Sequence, residues 1–162
     1  MSVDDRLTEL GITLPATSTP VANYVSTRRS GNLLFVSGHL CKRAGEVVTG
    51  RVGDDVDAQA GYDLARLAAL ESLGSVRAAL GSLDDVTAVK LTGFVNSAPG
   101  FTEQSAVING ASDLLVEVLG PERGAHARSA IGVAALPLGA VVEVEAIFEV
   151  GSMDGQTGRL TP

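Results

Sequence analysis

The chain has 162 residues, 45% hydrophobic and 19% charged, a composition that predicts one globular domain and excludes a disordered chain. Its net charge of −7 argues against nucleic-acid binding, because phosphate contacts need clustered Lys and Arg. No run reaches the roughly 20 apolar residues of a membrane span. The N-terminus lacks signal-peptide features, and one cysteine excludes an intrachain disulfide, so we expect a cytoplasmic protein without membrane contact.

The N-terminal third predicts a short helix, an extended strap and a hairpin. Residues 4–10 have acids at their start and a glycine behind them, which are typical of a short capped helix. Two prolines then favour extended chain, so residues 1–22 are predicted to form an N-terminal helix and a surface strap. Residues 24–40 are two β-rich arms around a Ser-Gly-Asn turn, which predicts a hairpin.

Two longer helices flank a third strand. The polar, glycine-punctuated residues 41–53 predict a loop. Residues 54–80 predict a long helix, because they begin with acids that suit the helix dipole and carry an apolar stripe. Glu71 projects into this stripe, and its role stays open. Residues 86–95 predict a strand, and residues 103–119 predict a second helix that stops at a Gly-Pro pair.

Residues 126–150 predict two strands joined at a Leu-Pro-Leu-Gly-Ala break, and we interpret them as a β-hairpin. Arg128 and Ala130 share one face of the first arm, since side chains alternate across a strand. On the second arm, Glu143 lies opposite a continuous apolar face. At about 3.3 Å per residue, Arg128 and Glu143 would lie roughly 13 Å apart along such a hairpin, so we expect a second subunit to bring them together.

The predicted order of elements is β-β-α-β-α-β-β. One mixed sheet with both helices on a single face buries each apolar stripe once, so the predicted fold is α+β. The single domain, residues 1–162, would comprise the helix and strap (1–22), a core (23–150) and a mobile tail (151–162), which has almost nothing to bury.

Motifs for metals, cofactors and nucleophilic catalysis are absent from the sequence. There is no phosphate loop, GxGxxG, CxxC or HExxH, and His39 and His126 are the only histidines, so we predict no metal and no cofactor. Ser37 and His39 stand two apart on one predicted strand without a nucleophile elbow, which argues against a hydrolase triad. Cys41 lies beside two cations, so it could be reactive, but an inert loop thiol is the expected role.

Several separated motifs follow one another along the chain. The C-terminal ones are Ala-Arg-Ser at 127–129, Leu-Pro at 136–137 and Val-Glu-Val-Glu-Ala at 142–146. Upstream stand Tyr-Val at 24–25, Gly-Asn at 31–32, Val-Ser-Gly at 36–38, and the regions of Val95 and Asn109. In this combination, over residues 24–150, the chain resembles the Rid family of reactive intermediate deaminases, also called the YjgF-like or L-PSP endoribonuclease family.

The resemblance implies a chorismate-mutase-like (YjgF-like) protomer that assembles as a homotrimer with ligand clefts between subunits. It also implies cofactor-free hydrolysis of enamines and imines of the 2-aminoacrylate type to 2-oxo acids and ammonia. By the resemblance, Arg128 would bind the substrate carboxylate and Glu143 would position water. The residues implied to line or shape the cleft are Tyr24, Ser37, Gly38, Asn109 and Ala130, with Ala130 replacing a cysteine and His126 a proline of the best-known members.

The residue types suit this chemistry, but alternatives stay open. Arginine offers a planar carboxylate an always-charged, two-pronged donor fork, and a held glutamate can move protons to and from water. A non-catalytic trimeric binder of small carboxylates would need the same Arg128. An RNA-cleaving or translation-inhibiting protein is the third hypothesis, which the acidic balance and scarce aromatics oppose. Arg128 could instead form a cross-strand ion pair with a glutamate of its own hairpin.

Overall fold

A five-stranded mixed sheet carries its helices on one face. The computed structural model describes residues 1–16 and 23–151. The strands of this sheet are β1 (Thr27–Ser30), β2 (Leu33–Leu40), β5 (Val86–Asn96), β6 (Ala127–Val133) and β7 (Val142–Val150), and a separate two-stranded sheet consists of β3 (Lys42–Arg43) and β4 (Glu46–Val47). The helices are α1 (Val3–Glu9), α2 (Ala58–Leu80), α3 (Gln104–Leu119) and the one-turn α4 (Pro121–Gly124).

The sheet confirms the predicted α+β architecture and its main element order. Its strands lie in the order β1-β2-β7-β5-β6. β1 and β2 form the predicted hairpin around Gly31, whose φ of +61° is accessible to glycine at little cost. β5 and β6 are parallel, whereas β7 is antiparallel to both of its neighbours, so the sheet is mixed.

The predicted hairpin of residues 126–150 is wrong. β5 lies between β6 and β7, so the two strands do not pair. The segment from β5 through α3 to β6 is a crossover that places a parallel strand on the outer edge of β5. β7 then takes the central position, where its alternate side chains are covered by the helices. The Leu-Pro-Leu-Gly-Ala break is therefore a connection past the end of β5, with a one-turn 3₁₀ helix at Pro137–Gly139.

The helix bounds follow the capping residues. Ser2 and Asp5 form a capping box at the start of α1. α2 begins later than predicted because Asp57 is its N-cap, while Asp55 accepts a hydrogen bond in the preceding turn. Gly81 ends α2 at φ +80°. None of the helices in the described ranges is long and apolar enough to cross a bilayer.

The helix and strap were predicted to cover the surface of the domain. The end of the described part, at Pro15, lies against α2, where a Cβ on Gly74 would be 2.6 Å from the Pro15 carbonyl oxygen. Residues 17–22 of the predicted strap and residues 152–162 of the predicted tail lie outside the described residues. Gly151 donates a backbone hydrogen bond to the carbonyl of Asp85, so it continues the pairing of β7 with β5 by one residue.

The helices α2 and α3 lie side by side over the sheet, and a glycine sets their separation. A Cβ on Gly110 would be 2.0 Å from the carbonyl oxygen of Tyr62, so only glycine permits this approach. Ile108 and Leu115 next to it are fully or almost fully buried. The position of α3 above β5 and β6 therefore depends on Gly110, and α3 carries the polar residues that face β6.

Gly110→Ala should destabilise the protein by about 2 to 3 kcal/mol. The added methyl meets backbone, which cannot rotate away, so α3 must move from α2, and overpacking of this kind outweighs the helix propensity of alanine. Urea denaturation of the variant and the wild type measures the difference.

Gly61→Ala is the matched control, because Gly61 lies on α2 in the same helix pair. A Cβ there would be 3.1 Å from a Val107 methyl, which can shift, and alanine gains about 1 kcal/mol of helix propensity. This variant should stay within about 1 kcal/mol of the wild type. Equal losses in both variants would show that the backbone contact at Gly110 is not special.

Candidate functional site

Arg128 lies on the edge strand β6 and faces α3. It is in register with Leu91 of β5, which is buried beneath the helices, and paired residues of neighbouring strands point to the same face. Its Nη1 donates hydrogen bonds to Asn109 Oδ1 at 2.8 Å and to Ser112 Oγ at 3.1 Å. The structure thus brings together Arg128 and Asn109, two of the predicted site residues, and adds Ser112.

The guanidinium of Arg128 has neutral partners. Within residues 1–16 and 23–151, Arg128 takes part in no ion pair, and its Nε and Nη2 make no hydrogen bond. The predicted alternative of a cross-strand ion pair within one hairpin is therefore wrong for this chain, because β6 does not pair with β7. A positive charge held by neutral acceptors, with one edge of its fork unused, is an arrangement that suits an anionic ligand.

The surroundings of Arg128 form one cluster, which we call the arginine group: Asn109, Ser112, His126, Arg128 and Ala130. His126 Nε2 lies 3.0 Å from Ser112 Oγ. Ala130 is in register with Gly93 and packs partly buried against the core, so it offers a methyl group and no reactive atom. Sequence reasoning missed Ser112, although its spacing of three from Asn109 places both on one face of a helix.

A second cluster, the glutamate group, consists of Tyr24, Ser37, Gly38 and Glu143. A bulge in β2 brings the backbone of Gly38 so close to Glu143 that a Cβ would be 1.9 Å from its Oε1. Ser37 Oγ donates to the carbonyl of Val25 at 2.7 Å, which ties the bulged strand to the segment that carries the exposed Tyr24. Three predicted site residues, Ser37, Gly38 and Glu143, thus lie at the bulge, and Tyr24 lies on the segment that is tied to it.

His39 holds the bulge from the helix side. Its Nδ1 lies 2.7 Å from the Ser37 carbonyl oxygen, and its Nε2 lies 2.7 Å from Ser75 Oγ on α2. Burial lowers the pKa of His39, which favours the neutral ring, and the neighbouring charge of Glu71 opposes that shift. A carbonyl can only accept, so Nδ1 carries the proton. Because bulges re-aim side chains, this contact fixes where Gly38 faces Glu143.

Glu143 is half-buried on the central strand. Desolvation raises the pKa of its carboxyl, and the negative charge of Glu145 adds to the shift. No hydrogen bond from the described residues reaches this carboxylate. A carboxyl in this state accepts and releases a proton closer to neutral pH than an ordinary glutamate does.

The two groups lie apart within one chain. Arg128 pairs with Leu91, and Glu143 pairs with Phe94, three residues further along β5. Two strand spacings of about 4.8 Å and three residues of about 3.3 Å separate the Cα atoms of Arg128 and Glu143 by roughly 14 Å. They also face opposite sides of the sheet. The separation resembles the one that sequence suggested, although its geometry is not that of a hairpin.

The open face of the sheet, opposite the helices, contains a pocket of about 380 Å³. Its lining includes Arg28, Phe35, Ser37, Lys90 and Glu145. The side chain of Phe35 is 42% exposed here, and other apolar residues of this face are exposed too. Exposed apolar residues of this kind are the groups that a protein–protein contact would bury.

The residues that sequence left open have structural partners. Glu71 of α2 forms an ion pair with Lys42 of β3 at 3.4 Å. Cys41 is fully buried and its Sγ lies 3.5 Å from the carbonyl oxygen of Val48, a position typical of a structural thiol. Ser37 Oγ and His39 have separate partners, which leaves no triad. Among the described residues, no three His, Cys, Asp or Glu side chains cluster to hold a metal ion.

Known proteins are similar to this chain in sequence and in architecture. The family model described as endoribonuclease L-PSP matches residues 15–150. Protein TCP17 of Trypanosoma cruzi is 51% identical over 149 residues, covering 91% of this chain and 93% of that protein. The crystal structure of Atu1372 from Agrobacterium tumefaciens has a TM-score of 0.85 and 49% identity, covering 93% of this chain and 94% of that one.

A structure of TdcF from E. coli, solved with bound serine, has a TM-score of 0.58 and 27% identity, covering 86% of this chain and 96% of that one. These matches cover most of the chain, and the range of the family model includes both groups of the candidate site. The chain therefore belongs to the endoribonuclease L-PSP family, which is the Rid or YjgF-like family that its motifs resemble.

Proposed function

We propose that the protein is a cofactor-free deaminase that hydrolyses small enamines and imines of the 2-aminoacrylate type to 2-oxo acids and ammonia. The observation that carries this proposal is the guanidinium of Arg128, held at Nη1 by neutral acceptors while Nε and Nη2 have no partner among the described residues. That free edge is the fork that binds a carboxylate with two parallel hydrogen bonds. The bound serine in TdcF, a molecule with a carboxylate, supports this ligand class.

The proposed site lies between two subunits of a homotrimer. One protomer holds Arg128 and Glu143 on opposite faces of its sheet, so a cleft that contains both needs two chains. The exposed apolar residues of the open face, with Phe35 in the pocket and Ile131 on the edge strand, supply a surface that packing would bury. A homotrimer is also the assembly that the family resemblance implies.

The chemistry assigns Arg128 and Glu143 different tasks. Arg128 binds the carboxylate and thereby fixes the C=N carbon of the imine relative to a water molecule. Glu143 accepts a proton from that water while the C–O bond forms, and it passes the proton to the imine nitrogen, which gives a carbinolamine. It then moves the proton of the carbinolamine hydroxyl to the nitrogen as the C–N bond breaks, so that the C=O bond forms and ammonia leaves. The raised pKa of Glu143 suits a group that must both take and give a proton.

Ligand binding without turnover is the second candidate function. Ala130 favours it, because a methyl group stands beside Arg128 where a cysteine could act on a substrate. Cleavage of RNA, which the family's description suggests, has less support: the net charge is −7, and phosphate binding needs clustered cations. Faster loss of 2-aminoacrylate with the protein present than without it distinguishes the deaminase from the binder.

Light scattering after size exclusion should give three times the 16.5 kDa protomer mass. Ile131→Glu on β6 should reduce this mass, because it places a charge on the open face. Val116→Glu, at an exposed apolar position on α3, is the control and should keep the wild-type mass. A wild-type mass of one protomer at micromolar concentration contradicts the trimer.

Arg128→Lys should lower kcat/KM for 2-aminoacrylate on the order of 30- to 1000-fold, because an ammonium keeps the charge but loses the two-pronged geometry. The melting temperature should change little, since Arg128 forms no ion pair with the described residues. Pyruvate release from 2-aminoacrylate generated in situ measures turnover. Arg43→Lys, on the exposed β3, is the control, and undiminished turnover by a folded Arg128→Lys trimer refutes the carboxylate clamp.

Glu143→Gln should stabilise the protein at neutral pH while abolishing turnover. A carboxyl whose folded pKa lies above its unfolded pKa costs stability when ionised, so the advantage of glutamine is full above the folded pKa. It should vanish as pH falls below the ordinary glutamate range. Melting temperatures from pH 4 to 8 test this, with Glu149→Gln, exposed on the same strand, as the control for removing a charge. A gain that does not vary with pH contradicts the assignment.

A further inference from the structure

A chain of hydrogen bonds runs from Arg128 through Ser112 of α3 to the C-terminal end of α4. Arg128 Nη1 lies 3.1 Å from Ser112 Oγ, and Ser112 Oγ lies 3.0 Å from His126 Nε2. His126 Nδ1 then lies 2.6 Å from the carbonyl oxygen of Gly124. The chain thus ends on backbone that α4 holds in place.

With a neutral imidazole, the chemistry of these groups allows one direction only. The Gly124 carbonyl can only accept, so Nδ1 of His126 carries a proton, and Nε2 of the neutral ring is an acceptor. Ser112 must therefore donate its hydroxyl hydrogen to His126. Arg128 can only donate, so the oxygen of Ser112 accepts from Nη1. The hydrogen bonds therefore run from Arg128 to Ser112 and from Ser112 to His126, and His126 donates to the carbonyl of Gly124.

This directed chain acts on the orientation of the guanidinium. A hydroxyl that donates to an imidazole is a stronger acceptor, because hydrogen bonds in a chain polarise one another. Ser112 and Asn109 together hold Nη1, which leaves the edge formed by Nε and Nη2 for a ligand. An arginine that is already oriented loses less conformational entropy when it binds a carboxylate.

We propose that Ser112 and His126 are positioning residues, and that this hydrogen-bond relay holds Arg128 in the orientation that receives a carboxylate. The expected effect of this relay on ligand affinity rests on the proposed function, whereas its effect on the orientation of Arg128 does not. Neither residue touches the ligand. Both act through the guanidinium, and the acceptor atom of His126 is the feature that the relay needs.

Two substitutions of His126 separate the relay from mere packing. Glutamine places an amide oxygen near the position of Nε2, so His126→Gln keeps an acceptor for Ser112. Asparagine places its amide nitrogen near the position of Nδ1, so His126→Asn keeps the bond to Gly124 but offers Ser112 no acceptor. A structural role through Gly124 would favour asparagine, whereas the relay favours glutamine.

The binding test uses pyruvate as the probe and isothermal titration calorimetry as the measurement. Ser112→Ala and His126→Asn should each raise Kd about 3- to 10-fold, which is the effect of one modest hydrogen bond. His126→Gln should stay closer to the wild type. The double variant Ser112→Ala/His126→Asn should be no weaker than either single variant, because both interrupt the same chain. Ser105→Ala, exposed on α3, is the matched control.

A second measurement needs no ligand. In the free protein, ¹⁵N NMR of the arginine side chains should show slow rotation of the Arg128 guanidinium in the wild type and in His126→Gln. Rotation should be faster in Ser112→Ala and His126→Asn. Equal rotation rates in all four proteins overturn the relay, and so does stronger binding by His126→Asn than by His126→Gln. If wild-type protein binds no pyruvate, the proposed function fails while the NMR comparison still decides the relay.

Discussion

The central position of β7 is the constraint on which the rest of the structure depends. Every second side chain from Val142 to Val150 is buried beneath the helices, so the intervening glutamates must occupy the open face. A strand covered on one side so completely is most stabilised between two partners, and β7 pairs with β2 and β5. That placement gives Glu143 its partial burial and its neighbour Gly38. It also displaces β6 to the edge, so Arg128 and Glu143 cannot meet within one chain.

The position of α3 is the second constraint on the candidate site, because it determines which side chains Arg128 contacts. Gly110 lets α3 approach the backbone of α2, and the helix then presents Asn109 and Ser112 to β6. Both are neutral acceptors, so the guanidinium is oriented without being neutralised. A carboxylate at either position would compensate the charge internally and compete with any anionic ligand. The helix packing and the ligand preference of the edge strand are therefore linked.

The sequence predicted what is local and missed what is set by pairing between distant segments. The turn at Gly31, the long helix and the buried face of β7 follow from spacing and punctuation, and all three were correct. Strand order depends on which distant segments pair, and a Pro-Gly break between two β-rich arms indicates a hairpin as readily as a connection past another strand. The start of α2 was misplaced because several acids precede it and only Asp57 caps it. Ser112 needed the register of β6 against α3, which spacing along one helix does not contain.

An isolated protomer would expose both halves of the proposed site in unfavourable states. Arg128 carries a charge without an ionic partner among the described residues. Desolvation raises the pKa of the Glu143 carboxyl, so its ionised form is unfavourable. In the proposed trimer both groups line one cleft, and a bound carboxylate supplies the ionic partner that Arg128 lacks among the described residues. Because such a ligand binds where two subunits meet, ligand binding and assembly are thermodynamically coupled. It follows that ligand binding should strengthen the trimer.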